Sequence, residues 1–170
     1  AYSARVTSTA QIVASQSRYQ PGRARGYGAL GSAEGGALAG IVPRINYEDS
    51  FYDVNGNDPS GPRYTADSFV SVLNTNNAPA TITLHFFVDT IGQNDPAPIP
   101  RVVIAPARGR TTLSIRDLGL PAGRQFGVVY RSNIAVTVSG SVYQGQDGTG
   151  VVAATYAATQ WLFGEGYMDA

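Results

Sequence analysis

Segments in which apolar and polar residues alternate recur along this chain, separated by short stretches rich in Asn, Pro and Gly. In the clearest one, TITLHFFVD at residues 81–89, every second residue from Ile82 to Val88 is apolar. Because successive side chains of a strand point to opposite faces of a sheet, this alternation predicts a half-buried strand. The same pattern predicts strands at residues 68–73, 101–105, 111–115, 126–130 and 134–143. In the last of these, Gly140 interrupts the apolar face and predicts a β-bulge.

The composition favours an all-β protein over a helical one. The chain of 170 residues contains 20 Gly and 10 Pro, and only 14% of its residues are charged, whereas amphipathic helices need more charged residues. Several strands joined by turns at intervals of about ten residues are typical of an antiparallel β-sandwich. We therefore predict a sandwich of about seven strands, with a single helical turn at residues 116–120.

The beginning of the chain repeats a segment near its other end. VTSTAQIVASQSRYQ at residues 6–20 aligns without a gap with YRSNIAVTVSGSVYQ at residues 130–144, and both end in S-x-S-x-Y-Q. Because the second copy reads as the closing strand of the sandwich, residues 1–20 are interpreted as a strand segment from a partial repeat. Such a segment needs a sheet to join, and we predict that this sheet belongs to another copy of the chain or to a neighbouring module.

This interpretation divides the chain into four parts. Residues 1–20 form the N-terminal strand segment, residues 21–44 form a Gly/Ala-rich loop or linker, and residues 45–160 form the main sandwich. Residues 161–170 then form a C-terminal strand that begins the next repeat. The two ends are therefore the predicted joining surfaces, and the candidate assembly residues are Val6, Ile12, Ala14, Tyr19, Tyr156, Trp161, Phe163 and Glu165.

Three sequence motifs resemble those of a known group of proteins. SFVSVLNTNNAPATITLHFF at residues 68–87 and VIAPARGRTTLSI at residues 103–115 resemble the strands and turns of bacterial extracellular immunoglobulin-like repeats. WLFGEG at residues 161–166 resembles the W-x-F-x-E-G signature that opens each module in tandem cell-surface arrays of such repeats. The corresponding segment of the main sandwich, INYEDSF at residues 45–51, keeps an aromatic and an acidic residue but lacks the Trp and the Gly. The resemblance implies an immunoglobulin-like sandwich with a structural or adhesive role and no catalytic one.

These features together predict an extracellular structural protein, either secreted or at the cell surface, that serves as a subunit of a filament or a surface array. Its main partner is the protein itself, joined without covalent bonds by pairing of strand edges, because the chain has no Lys for isopeptide crosslinks. Two alternatives stay open. Ten Tyr and one Trp could form a platform for surface glycans or another ligand in an adhesive sandwich, and the same sandwich could serve as a virion or phage surface subunit.

Several function classes are disfavoured by residues that the chain lacks. It has no Cys and no Lys, which excludes thiolate nucleophiles, disulfides and Schiff bases. His85 is the single histidine and no G-x-S-x-G motif occurs, so we predict that the protein is not an enzyme. Twelve basic residues balance twelve acidic ones, which argues against a nucleic-acid partner. No apolar run approaches the length of a membrane span.

One segment has part of the pattern of a cation site. DVNGND at residues 53–58 places oxygen-bearing side chains close together, and the candidate calcium ligands are Asp53, Asn55, Asn57 and Asp58. The Gly and the bidentate Glu that complete a helix-loop-helix calcium loop are missing from the sixth and twelfth positions. An Asn-Gly turn is therefore the preferred interpretation, with calcium as the alternative, and no other cofactor is predicted.

Overall fold

The computed structural model describes residues 6–10, 15–20, 25–30, 36–47, 66–88, 97–121, 124–144 and 147–155. Within these ranges the fold consists of antiparallel strands and one short turn of 3-10 helix at Arg116–Leu118. The strands are β1 (Ser15–Gln20), β2 (Arg25–Leu30), β3 (Ala37–Tyr47), β4 (Ala66–Asn74), β5 (Ala80–Val88), β6 (Ile99–Ala105), β7 (Gly109–Ser114), β8 (Arg124–Gln144) and β9 (Asp147–Val152). The prediction of an all-β antiparallel fold is confirmed.

The longest strand, β8, belongs to two sheets. Its first half pairs with β3 on one side and β5 on the other, and β6 continues this sheet beyond β5; we call this sheet I. Its second half pairs with β4 and β9, and β7 continues this sheet beyond β4; we call this sheet II. The seven strands therefore form one continuous sheet that curls around β8 into a half-barrel.

The inner faces of both sheets meet in a single hydrophobic core. Along β5, Ile82, Leu84 and Phe86 are fully buried while the residues between them are exposed or half-buried, as the alternation in the sequence predicts. The ring of Phe86 meets that of Phe126 on β8 edge to face, with centroids 6.2 Å apart. Val136 and Val138 of β8 lie in the core where sheet I continues into sheet II.

A short plug closes the open side of the half-barrel, between the end strands β6 and β7. It comprises residues 115–120, in which Ile115 and Leu120 are buried and the backbone N–H of Ile115 donates to Ser68 O on β4 at 2.9 Å. The guanidinium of Arg101 on β6 donates from Nε and one terminal nitrogen to Leu118 O, at 3.0 and 2.8 Å. The helical turn predicted for this segment is therefore present, and it serves to cover the core.

Amide side chains hold the corner at which the chain passes between the sheets. Asn74, at the end of β4, is fully buried, and its Nδ2 lies within bonding distance of three carbonyl oxygens, those of Ala78, Ala105 and Pro106. Its Oδ1 accepts the backbone N–H of Asn76, and Nδ2 of Asn76 donates to Ala135 O within β8 at 2.7 Å. One buried amide therefore ties the β4–β5 turn to the β6–β7 turn.

Two predictions about the strands were wrong. Residues 21–44, predicted as a loop or linker, contain β2 and most of β3, and β3 pairs with β8 in the seven-stranded sheet from Ala37 onwards. The predicted strands at 126–130 and 134–143 are parts of the single strand β8. The Gly/Ala-rich segment has no apolar face of its own, and β3 is stabilised by pairing with β8, which is distant in the sequence.

The bulge predicted at Gly140 is also wrong, because β8 keeps an unbroken register with both β4 and β9 at this residue. The glycine is needed for another reason. A Cβ at Gly140 would lie 2.8 Å from Cγ1 of Val42 on β3, so the absence of a side chain lets the two sheets approach closely. The register shifts occur in the pairing of β3 with β8 instead.

No helix among the described residues has both the length and the apolar character needed to cross a membrane.

The Asn74 network predicts a strong dependence of stability on this one amide. Asn74→Ala should lower the free energy of unfolding by about 2–4 kcal/mol, because it leaves buried carbonyl oxygens without a donor. Asn77→Ala is the matched control: Asn77 is exposed and accepts only from Arg108 Nε, so the expected loss is within about 0.5 kcal/mol. Urea unfolding followed by circular dichroism measures both values. Equal losses would contradict the role assigned to Asn74.

The close approach at Gly140 predicts that even a methyl group is harmful there. Gly140→Ala should lower the free energy of unfolding by about 1–3 kcal/mol. The additional loss caused by Gly140→Ala should be smaller in a chain that already carries Val42→Ala, because the smaller residue relieves the contact. The control is Gly127→Ala, whose new Cβ would find its nearest neighbour 3.6 Å away. That variant should be unchanged or more stable by up to about 1 kcal/mol. Thermal unfolding of the four variants is the measurement, and an additive double variant would contradict the explanation.

Candidate assembly interface

The N-terminal strand finds its partner in its own chain. β1 pairs with β2 in an antiparallel hairpin, with Ser15 opposite Leu30 and Gln20 opposite Arg25. β2 in turn lies beside β9, the outermost strand of sheet II. The premise that residues 1–20 lack a local partner was therefore wrong, because β2 falls in the segment that was predicted as a linker. In the described part of the chain, no strand pairs with the other edge of β1.

The internal repeat is a whole hairpin and not a single strand. The second half of β8 and β9 form a hairpin in which Ser139 lies opposite Val152 and Gln144 opposite Asp147. Placed on the β1–β2 hairpin by these pairings, SQSRYQ matches SGSVYQ in the first strand and RGYGAL matches DGTGVV in the second. The number of residues between the two strands differs, with residues 21–24 in one hairpin and residues 145–146 in the other, so an alignment without gaps does not reach the second strand.

The recurring Ser and Tyr residues and the Gly residues opposite them lie on one face of the hairpin. Tyr143 lies opposite Gly148 and Ser141 opposite Gly150, and these are the positions of Tyr19 opposite Gly26 and Ser17 opposite Gly28. An aromatic residue across from a glycine covers backbone that the glycine leaves open.

In sheet II this recurring face is covered. Tyr143 is 6% exposed and Ser141 is 9% exposed. The ring of Phe69 on β4 meets that of Tyr143 edge to face at 6.1 Å. Two of the three intervening positions do not recur, since Gln16 and Arg18 stand where β8 has Gly140 and Val142, and Gln20 alone matches its counterpart, Gln144. The repeat therefore preserves the face that contacts Phe69 and not the face that enters the core.

The outer edge strands of sheet I are protected against pairing. Pro100 on β6 has no N–H to offer, and Ile104 O on the same strand accepts a hydrogen bond from the Thr111 hydroxyl at 2.9 Å. On the opposite side of the sheet, Ile41 of β3 exchanges two backbone hydrogen bonds with Ala154, at 2.8 and 2.9 Å. Proline and capped carbonyls are devices that prevent unwanted strand addition.

The outer face of sheet I carries exposed apolar side chains that sequence reasoning missed. Val102 is 66% exposed, Ile104 63% and Phe87 45%. The pairing places Val102 beside Thr83, and Thr83 beside Arg131, in one row across the sheet. A signal was present, because residues 102–104 are three consecutive apolar residues in a strand that can bury only every second one.

Most of the residues predicted to form sites lie outside the described residues. This holds for the assembly candidates Ile12, Ala14, Tyr156, Trp161, Phe163 and Glu165, and for the calcium candidates Asp53, Asn55, Asn57 and Asp58. Of the remaining two, Val6 is exposed and Tyr19 lies in β1. The described residues contain no group of three or more His, Asp or Glu that could hold a metal ion.

A small cavity lies where β3, β8 and the end of β9 meet. Its volume is about 10 Å³, and Tyr130, Val136 and Ala153 are among the residues that line it. A cavity of this size holds at most a single water molecule, so it is not a ligand site.

No protein-family model matches the chain, and no curated protein matches it. Among solved structures, a Thermotoga maritima protein designated 1070 is similar, with 15% identity over 71% of this chain and 95% of that chain and a TM-score of 0.54. The Anabaena sensory rhodopsin transducer matches with 19% identity over 63% of this chain and 97% of its own, at a TM-score of 0.45. The first likeness shows a shared fold, and neither identity is high enough to carry a function.

The protected edge of β6 predicts a specific effect of one hydroxyl group. Thr111→Val keeps the side-chain shape but leaves Ile104 O without its donor, so the fold should lose about 1 kcal/mol of stability and aggregate more readily on mild heating. Thr112→Val is the control, because the Thr112 hydroxyl bonds to the side chains of Ser71 and Arg110 and not to an edge carbonyl. Light scattering during a temperature ramp separates the two. A rise in aggregation that is the same for both would contradict the role of Thr111.

Proposed function

We propose that this protein is an extracellular structural module that assembles with others of its kind, without covalent bonds, by pairing of strand edges. The observation that carries the proposal is the hairpin β1–β2, which repeats the β8–β9 hairpin of sheet II and has an edge with no neighbour among the described strands. An edge of this kind offers a row of backbone donors and acceptors to another chain.

The edges of β6 and β3 are protected against pairing, and this contrast with β1 supports the proposed assembly. The chain protects β6 with Pro100 and Thr111, and bridges β3 through Ala154. If pairing at every strand edge only led to aggregation, proline or capped carbonyl groups would be expected on β1 as well. β1 instead has no proline along its length, and Pro21 follows its last residue.

The energy of such a joint is adequate for reversible assembly. Each added backbone hydrogen bond contributes on the order of 1 kcal/mol net, and burial of apolar surface contributes about 25 cal/mol per Å². A strand of six residues such as β1 can therefore hold a neighbour only in cooperation with further contacts. The exposed face of sheet I, with Val102 and Ile104, is available for those.

The cell-surface setting is part of the same proposal. It rests on the resemblance of residues 68–87, 103–115 and 161–166 to immunoglobulin-like repeats of bacterial surface arrays. On this reading the curled sheet is a variant of the immunoglobulin-like sandwich, and the chain has a structural or adhesive role without catalysis. Head-to-tail contacts between two different surfaces of identical subunits would give a filament when their rotation does not close.

Proline substitutions in β1 test the role of its free edge. Ser17 and Arg18 are neighbours, so one of them directs its N–H towards β2 and the other towards the free edge. We expect the chain to form oligomers at high concentration, and one of Ser17→Pro and Arg18→Pro to abolish them while keeping the hairpin. Deletion of residues 1–20 should abolish them as well. Light scattering and electron microscopy measure the assembly, and circular dichroism confirms that the fold persists.

The control is Asn77→Ala, an exposed change in the β4–β5 turn, which should leave the edge joint in place. Oligomers that survive both proline variants and the deletion would refute assembly through β1. Binding of surface glycans by a chain that stays monomeric would instead favour the adhesive alternative.

A further inference from the structure

Among the described strands β1 pairs with β2 alone, and the repeat identifies the edge of β1 that is left without a described neighbour. β8 has two edges in sheet II: one pairs with β9 and the other with β4. β1 corresponds to the second half of β8, and its partner β2 corresponds to β9. The free edge of β1 therefore corresponds to the edge of β8 that binds β4.

From this equivalence we propose that the free edge of β1 binds a strand of the β4 type, with the sequence pattern of Ala66–Asn74, supplied by an adjoining module of the same fold. The inference rests on the proposed structural function and names the partner of its joint. In sheet II, Ser141 lies opposite Phe69 and Tyr143 opposite Asp67. The expected register therefore places Ser17 opposite the residue equivalent to Phe69 and Tyr19 opposite the equivalent of Asp67.

The residues that recur support a β4-type strand in particular. Positions 139, 141 and 143 of β8 contact β4 on the face that bears Phe69 and Ser71, and these are the positions that β1 repeats as Ser15, Ser17 and Tyr19. In sheet II the contact includes the edge-to-face pair of Phe69 with Tyr143. A strand that presents an aromatic residue at the same position would find the same neighbour at Tyr19.

The residues that differ predict a weaker joint than the one inside the domain. Arg18 replaces Val142, which lies opposite Ser68, and Gln16 replaces Gly140, which lies opposite Val70. Polar residues at these positions remove the core face, so only one face of the added strand gains apolar contacts. The pairing should therefore be reversible and be stabilised mainly by backbone hydrogen bonds and by the Tyr19 face.

The partner strand must come from a module in which β4 has an open edge. Within this chain β4 lies between β7 and β8, so both of its edges are occupied. A second copy of the chain in which the β8–β9 hairpin has separated from β4 would present such an edge, and the β1–β2 hairpin would take its place beside β4. This is strand addition with a hairpin as the donor.

A disulfide-trapping experiment tests both the edge and the register. The chain has no Cys, so Ser17→Cys introduces a unique thiol. The probe is a nine-residue peptide with the sequence ADSFVSVLN, made with Cys in place of either Phe69 or Val70. Neighbouring residues of a strand point to opposite faces, so the Phe69→Cys peptide should crosslink several-fold faster than the Val70→Cys peptide.

A second peptide series separates edge pairing from contact with a face. Backbone N-methyl groups on alternate residues of the peptide remove alternate hydrogen-bond donors. One methylated series should lose binding to the unmodified chain and the complementary series should keep it. The matched control for trapping is Val102→Cys on β6, which should crosslink both Cys peptides at equal rates because its strand edge is protected.

The outcomes separate this inference from the proposed function. Faster trapping of the Phe69→Cys peptide together with loss of binding in one methylated series supports the β4-type partner. Equal trapping rates at Ser17→Cys, or equal binding of both methylated series, would overturn it. Oligomers of the unmodified chain combined with equal trapping rates would support the structural role and reject the β4-type partner. Selective trapping of the Phe69→Cys peptide without any oligomers would support the β4-type partner and reject the structural role.

Discussion

The bend in β8 is the constraint on which the rest of the structure depends. A strand of 21 residues would extend about 70 Å at 3.3 Å per residue, far longer than one sheet of this domain needs. It belongs to two sheets because it bends between them, and at the bend some backbone groups have no hydrogen-bond partner in a neighbouring strand. Asn133 Oδ1 accepts the N–H of Thr81, and Asn76 Nδ2 donates to Ala135 O. Side-chain amides thus replace the missing strand, and the buried Asn74 holds the loop that carries one of them.

The strands that could be predicted from the sequence are those with a local cause. β4 and β5 alternate with period two and are bounded by Asn, Pro and Gly, so both their faces and their approximate ends can be predicted from the sequence. For β6 and β7 only the approximate ends are marked in this way. β8 was divided because Arg131–Ser–Asn133 reads as a polar break, although these residues form the bend within one strand. β3 contains Pro43 and two register shifts, so it is recognisable only from its pairing with β8.

Only part of the candidate interface could be predicted from the sequence, for a similar reason. The repeat of S-x-S-x-Y-Q identified Tyr19 and Tyr143 as equivalent, but the Gly residues opposite them are displaced by the difference between the two loops. A tyrosine across from a glycine is a relation between two strands, and no single segment of sequence contains it. Only the register shows that the repeated unit is a hairpin face. The same limit applies to the exposed face of sheet I, because which side of β6 is covered depends on the curl of the sheet.

Edges decide whether a sheet of this kind remains a single domain or grows. A half-barrel has ends, and each end can pair with another chain unless something prevents it. Here the protection of β6 comes from Thr111 on β7, and that of β3 comes from Ala154 after β9. Both are by-products of closing the domain on itself. Among the described strands the β1–β2 hairpin lies outside this closure. In the assembly that we propose, its edge keeps the pairing capacity that β8 uses internally, and a strand that resembles β4 binds there.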